Sequence, residues 1–87
     1  MKEQELFNNL TKLINKLDPF NMMIYNESDI YQKEVKLILQ KKNIINNGII
    51  KDIFKITFFE YINDEHCNIL TNYIINNRPV IYNYIFF

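Results

Sequence analysis

The chain contains no alanine and no tryptophan, one glycine, two prolines, one cysteine and one histidine. Each scarcity removes a class of function. A lone cysteine cannot form an internal disulfide, so a reducing compartment is expected, and we place the chain in the cytoplasm. A single glycine, Gly48, leaves no Gly-rich loop to cradle a phosphate. One His and one Cys fall short of the roughly four ligands a zinc site needs, so no metal or cofactor is expected. Net charge is also absent, because ten Lys and Arg residues balance ten Asp and Glu residues. Without an overall basic excess there is little to release counterions from a nucleic acid, so no direct nucleic-acid partner is expected. No apolar run approaches the ~18 residues of a membrane span. The opening "MKEQELFNNL" lacks the apolar stretch of a signal peptide.

What is present is a core. Hydrophobic residues make up 48% of the 87 residues and aromatics 15%, which argues against disorder and for one domain. A chain of this size buries only roughly 60–65% of the surface its unfolded form exposes, which leaves little room for a deep pocket. Sixteen Ile and fourteen Asn, with Lys, are what an AT-rich coding sequence produces. The Asn runs are split by regular apolar spacing and do not read as a low-complexity tract.

Leu6, Leu10, Leu13 and Leu17, flanked by Phe7 and Ile14, mark one face of a helix over Glu3 to Leu17. Asp18-Pro19 ends it, because a residue before proline avoids the helical region. "PFNMMIYNES" reads as a loop with apolar anchors. A second helix starts near Ser28 or Asp29, with Asp29-x-x-Gln32 as a capping box. Tyr31, Val35, Ile38 and Leu39 form its buried face, while Lys33, Lys36, Lys41 and Lys42 face water. Asn46-Asn47-Gly48 is the clearest break. The next segment, about Ile49 to Tyr61, fits a helix through Ile49, Ile50, Ile53, Phe54, Thr57 and Phe58, although "KITFFEYI" also has strand composition. Asn63-Asp64 caps a fourth helix carrying Cys67, Leu70, Tyr73 and Ile74, which Asn76-Asn77-Arg78-Pro79 stops. The eight residues "VIYNYIFF" after Pro79 are nearly all apolar and suit a strand, a core segment or an interface. The expected fold is all-α, a compact bundle of about four short helices with an apolar C-terminal tail.

Candidate chemistry is sparse, and no catalytic residues are assigned. His66 and Cys67 are adjacent and would point about 100° apart on a helix, so they do not converge on one atom. Cys67 is expected in the core and His66 at the surface or in a cap. The paired carboxylates Asp64-Glu65 and Glu27/Asp29 would need a cleft to shift their pKa values. The chain is therefore not expected to be an enzyme.

Charge placement is more informative. Asp18 to Glu34 holds four acids and one lysine, Lys36 to Lys55 five lysines and one acid, and Glu60 to Glu65 three acids and no base. In an up-and-down bundle the loops after the first and third helices share one end. Glu27, Asp29, Glu60, Asp64 and Glu65 would then form an acidic face with Tyr25 and Tyr31 beside it. The same acids also suit helix starts. The apolar loop residues Phe20, Met22, Met23, Ile24 and Tyr25 exceed what a simple connection needs, and form either a lid on the core or an interface.

The order Leu17-Asp18-Pro19, an acid-and-tyrosine loop, I-x-x-I-F-x-x-x-F (Ile50, Ile53, Phe54, Phe58) and a helix near Cys67 resembles the YugE-like family of small all-helical bacterial proteins. The resemblance spans about Leu10 to Ile75 and implies four helices and no assigned activity. In profile, a short Asn/Ile/Lys-rich chain with an acidic patch is similar to immunity proteins of bacterial contact-dependent toxin systems. That similarity implies a non-enzymatic inhibitor that binds a cognate toxin, often a nuclease, and blocks its active site. A nuclease groove is basic, and an acidic, Tyr-bearing face would complement it. The alternative expectation is a small helical adaptor or regulatory protein of unknown partner, whose "VIYNYIFF" either pairs edge to edge with a second copy in a homodimer or adds a strand to a partner.

Overall fold

A computed structural model describes residues 2–25 and 29–79. Among the described residues four α-helices run in chain order: α1 Glu3–Leu17, α2 Gln32–Gln40, α3 Asn47–Phe58 and α4 Asp64–Asn77. Single 3₁₀ turns occupy Met22–Tyr25 and Lys42–Ile44. The described residues contain no strand, so "KITFFEYI" is helical up to Phe58. The expectation for "VIYNYIFF" falls outside the described residues.

Helix α1 has the expected bounds, and the centre of its buried stripe is Leu6, Leu10 and Ile14, with Leu13 and Leu17 half-buried at its edge. It stops at Asp18, which adopts the left-handed conformation with φ 46° and returns its N–H to the Ile14 carbonyl at 2.7 Å. Aspartate is one of the few non-glycine residues that visits this region readily, and Pro19 then forbids continuation.

Helix α2 begins later than expected. Its N-cap is Tyr31, with no side-chain capping bond, so the Asp29/Gln32 capping box does not form. Asp29 sits in the preceding turn instead, where its carbonyl accepts the Gln32 N–H at 3.0 Å. The buried face holds Tyr31, Glu34, Val35 and Ile38, with Leu39 half-buried. Glu34 is an unforeseen core residue, and its place in the first turn lets the helix dipole offset part of the cost of burying it. Lys42 also turns inward, to an ion pair with Glu3 at 2.9 Å.

The break at Asn46-Asn47-Gly48 is a helix start. The Asn46 side chain accepts the Ile49 N–H at 2.9 Å, and Gly48 lies in the first turn. A Cβ on Gly48 would come within 3.2 Å of that capping oxygen. Helix α3 buries Ile50, Ile53 and Phe54. Asn63 caps α4 by accepting from the N–H groups of Glu65 (2.7 Å) and His66 (3.2 Å). Cys67, Leu70, Thr71 and Ile74 form its buried face, with Tyr73 half-buried.

The helices do not simply alternate up and down. The loop after α1 does meet the end of α3, where Phe20 stacks on Phe58 with ring centroids 4.4 Å apart. Helix α4, however, starts beside the first turns of α3. Cys67 Sγ lies 3.2 Å from the Asn47 carbonyl, and Lys51 pairs with Asp64 at 2.7 Å. The connection from Phe59 to Asn63 therefore doubles back along α3. The far end of α4 is tied to the turn after α2 by Arg78, whose guanidinium donates to the Lys42 carbonyl at 3.0 Å.

Candidate functional site

The loop after α1 is organised by one carboxylate. Asp18 accepts from the backbone N–H of Met22 (2.8 Å) and Met23 (3.2 Å) and from the Tyr31 hydroxyl (2.6 Å). The same hydroxyl accepts from the Phe20 N–H at 3.1 Å. Burial, followed by the bond to Asp18, pushes the Tyr31 phenol up to about 12. Tyr31 is 1% exposed and packs with Phe54 and Phe58. This corrects its assignment to a contact surface, because its ring is core and its hydroxyl is fully engaged in loop structure.

The other described members of the expected acidic face, Asp29, Glu60, Asp64 and Glu65, are all exposed. Asp29 is exposed and borders a surface groove with Phe7, Thr11 and Lys12 of α1. Glu60, Asp64 and Glu65 are exposed along the connection beside α3 and at the start of α4. Asp64 is engaged by Lys51, whose ammonium pKa rises through that hydrogen bond. Because α4 begins back along α3, Asp64 sits beside Lys51, while Glu60 lies directly after the end of α3. Tyr25 ends the 3₁₀ turn, and its side chain, like Glu27, lies outside the described residues.

Residues that sequence reasoning passed over flank Glu60 in the chain. Ile56, Phe59 and Tyr61 are 68%, 79% and 65% exposed. Phe59 follows the last residue of α3 and adopts the left-handed conformation with φ 60°, its N–H bonded to the Lys55 carbonyl at 2.9 Å. Glycine is the usual residue there, and a bulky side chain at positive φ is strained. Lys55 holds the turn from the other side. Its ammonium donates to the Phe59 carbonyl at 2.8 Å and lies 4.8 Å from the centre of the Tyr61 ring, a cation–π contact. The result is a fixed apolar knob with Glu60 and Glu65 nearby in the chain. The signal available in the sequence was Ile56, an apolar residue off the Ile50/Ile53/Phe54 stripe.

Chemistry of other kinds has little material here. Cys67 is buried, and burial pushes its thiol up, which disfavours the thiolate. His66 is half-buried beside it on α4. Among the described residues no group of three or more His, Cys, Asp or Glu side chains is placed to hold a metal ion. No helix among them is long and apolar enough to cross a membrane.

Compared with protein-family models, with curated proteins and with solved structures, the chain matches none.

Proposed function

We propose that this chain is a non-enzymatic, protein-binding inhibitor of the immunity type, which acts in the cytoplasm by covering the active site of a cognate toxin. The contact surface on this reading is the turn after α3: Ile56, Phe59 and Tyr61 as apolar anchors, Glu60 and Glu65 as charged rim. The carrying observation is Phe59, a large aromatic side chain held at positive φ with 79% of its surface exposed. Strain of this kind, of order 1–3 kcal/mol, tends to be kept where it serves a function. Exposed aromatics with a polar rim are the usual anatomy of an interface hot spot.

Charge sets the kind of partner. Lys51 and Lys55, the cations beside this turn, are engaged within the chain by Asp64 and by Phe59 and Tyr61. Glu60 and Glu65 form no ion pair among the described residues. They are left to meet a basic surface, and a nuclease groove built to hold phosphates is one. The test is a pull-down of the tagged full chain from native cell extract, read by mass spectrometry, beside Phe59→Asp and Glu60→Lys/Glu65→Lys. A stoichiometric partner with a basic catalytic domain, lost in both variants and weakened by salt, is the expected result. A partner retained by both variants would refute this surface, and a partner without an active site to cover would refute the inhibitor reading.

A further inference from the structure

Two features of the surface lie at opposite poles of the bundle. Phe20, in the loop after α1, stacks on Phe58, so the end of α1 and the end of α3 share one pole. That pole bears the exposed Phe59 and Glu60. The Glu3–Lys42 ion pair brings the start of α1 against the end of α2 at the other pole. There the two helices enclose a groove of about 420 Å³, with an apolar lining from Leu6, Phe7 and Leu39. Helix α1 runs between the poles and holds them roughly 15–20 Å apart at its rise per residue.

Shape and charge make knob and groove complementary. A groove of this volume falls within the roughly 300–1,000 Å³ of pockets that enclose whole ligands, ample for one phenyl ring. In its polar lining Glu3 is offset by Lys42, while Lys36 forms no ion pair among the described residues. The groove thus keeps an uncompensated positive charge, and the knob keeps the uncompensated negative charges of Glu60 and Glu65. The formal net charge of the chain is zero, so no overall repulsion keeps two copies apart.

We infer that this chain self-associates head to tail, with the Phe59 knob of one copy seated in the α1–α2 groove of the next and Glu60 facing Lys36. The contact is heterologous, so each assembly ends in one unused knob and one unused groove and propagates beyond a pair. A single aromatic anchor with a few charges is a small interface, which suits a weak contact that salt loosens. The knob is also the surface assigned above to the toxin, so a copy inside an assembly has that surface covered. Self-association needs no toxin, and the two readings can therefore fail separately.

The experiment is sedimentation velocity of the full chain between about 5 and about 500 μM, at low and high salt. Two variants at exposed positions accompany it: Phe59→Asp, which removes the knob, and Gln4→Trp/Lys36→Glu, which fills the groove and reverses its charge. Circular dichroism equal to that of the unaltered chain verifies that each is folded, and Lys36→Glu alone serves as a milder groove variant. The expected result is an average mass that climbs past a dimer with concentration, with association about tenfold weaker at high salt and in Lys36→Glu. Phe59→Asp and the double variant should each stay monomeric alone. Mixed in equal amounts, they should form a one-to-one dimer and nothing larger, because the pair holds one intact knob and one intact groove. An unaltered chain that is monomeric throughout would overturn the inference. So would assembly retained by either variant alone, which would assign the contact to another surface, or folded variants that stay apart when mixed.

Discussion

The Tyr31 hydroxyl donates a 2.6 Å hydrogen bond to the Asp18 carboxylate across the loop that joins α1 to α2. This bond ties the end of one helix to the start of the next. The same carboxylate carries the Met22 and Met23 N–H groups, and the same hydroxyl carries the Phe20 N–H. Phe20 then stacks on Phe58, so the knot also fixes the loop to the end of α3.

Removing either partner should therefore be felt as a unit. Tyr31→Phe leaves Asp18 and the Phe20 N–H short of a partner and should destabilise by about 1–3 kcal/mol, the cost of stranding part-buried polar groups. Asp18→Ala should cost at least as much, since two backbone N–H groups lose their acceptor as well. The double variant should fall well short of the sum, because the residues share one network. Urea unfolding of the four proteins measures the coupling.

The Tyr31 phenol also predicts an alkaline limit. Its pKa is about 12 in the folded chain against an ordinary value near 10, so the unfolded chain loses the proton first. Folding then holds more protons than unfolding between those values, and stability falls as pH rises through that window. The contribution is fully present below about pH 10 and is spent near pH 12. Thermal melts between pH 9 and 12 should show the decline, and Tyr31→Phe should remove this residue's share of it.

Two neighbouring residues at the start of α4 should respond very differently. Asn63 satisfies two backbone N–H groups, and Asn63→Ala should cost about 1 kcal/mol. Asp64 pairs with Lys51 in an exposed geometry, so Asp64→Asn should cost about 0–1 kcal/mol and less in high salt. Denaturation midpoints at low and high salt compare the two directly.

The helical fold was legible in the spacing of apolar residues, and the bounds of α1 followed from Leu6 through Leu17 and the Asp18-Pro19 stop. The start of α2 was misjudged because Asp29 looks like a cap in sequence, while its carbonyl closes a turn with the Gln32 N–H and the Tyr31 hydroxyl is anchored on Asp18, a long-range bond that no local pattern announces. The place of Asp64 was hidden for a topological reason. Linear charge runs say nothing of where α4 begins along α3, and the Lys51–Asp64 pair shows that it begins beside the second turn. The exposed site at Phe59 was hidden by the same apolar richness that revealed the helix: "KITFFEYI" contains core and surface aromatics side by side, and only the helix end at Phe58 separates them.

Phe59→Gly separates function from stability at one position. Glycine relieves the positive-φ strain at the end of α3, so the variant should be as stable as the unaltered chain or more so by about 0.5–1 kcal/mol. The decisive measurement is the affinity of this variant for the partner recovered from native extract, made alongside its melting curve. The proposed contact surface predicts affinity at least about thirtyfold weaker, the loss expected when a hot-spot aromatic is removed. Unchanged affinity in a variant at least as stable would contradict it and return Phe59 to the role of an ill-fitting helix cap.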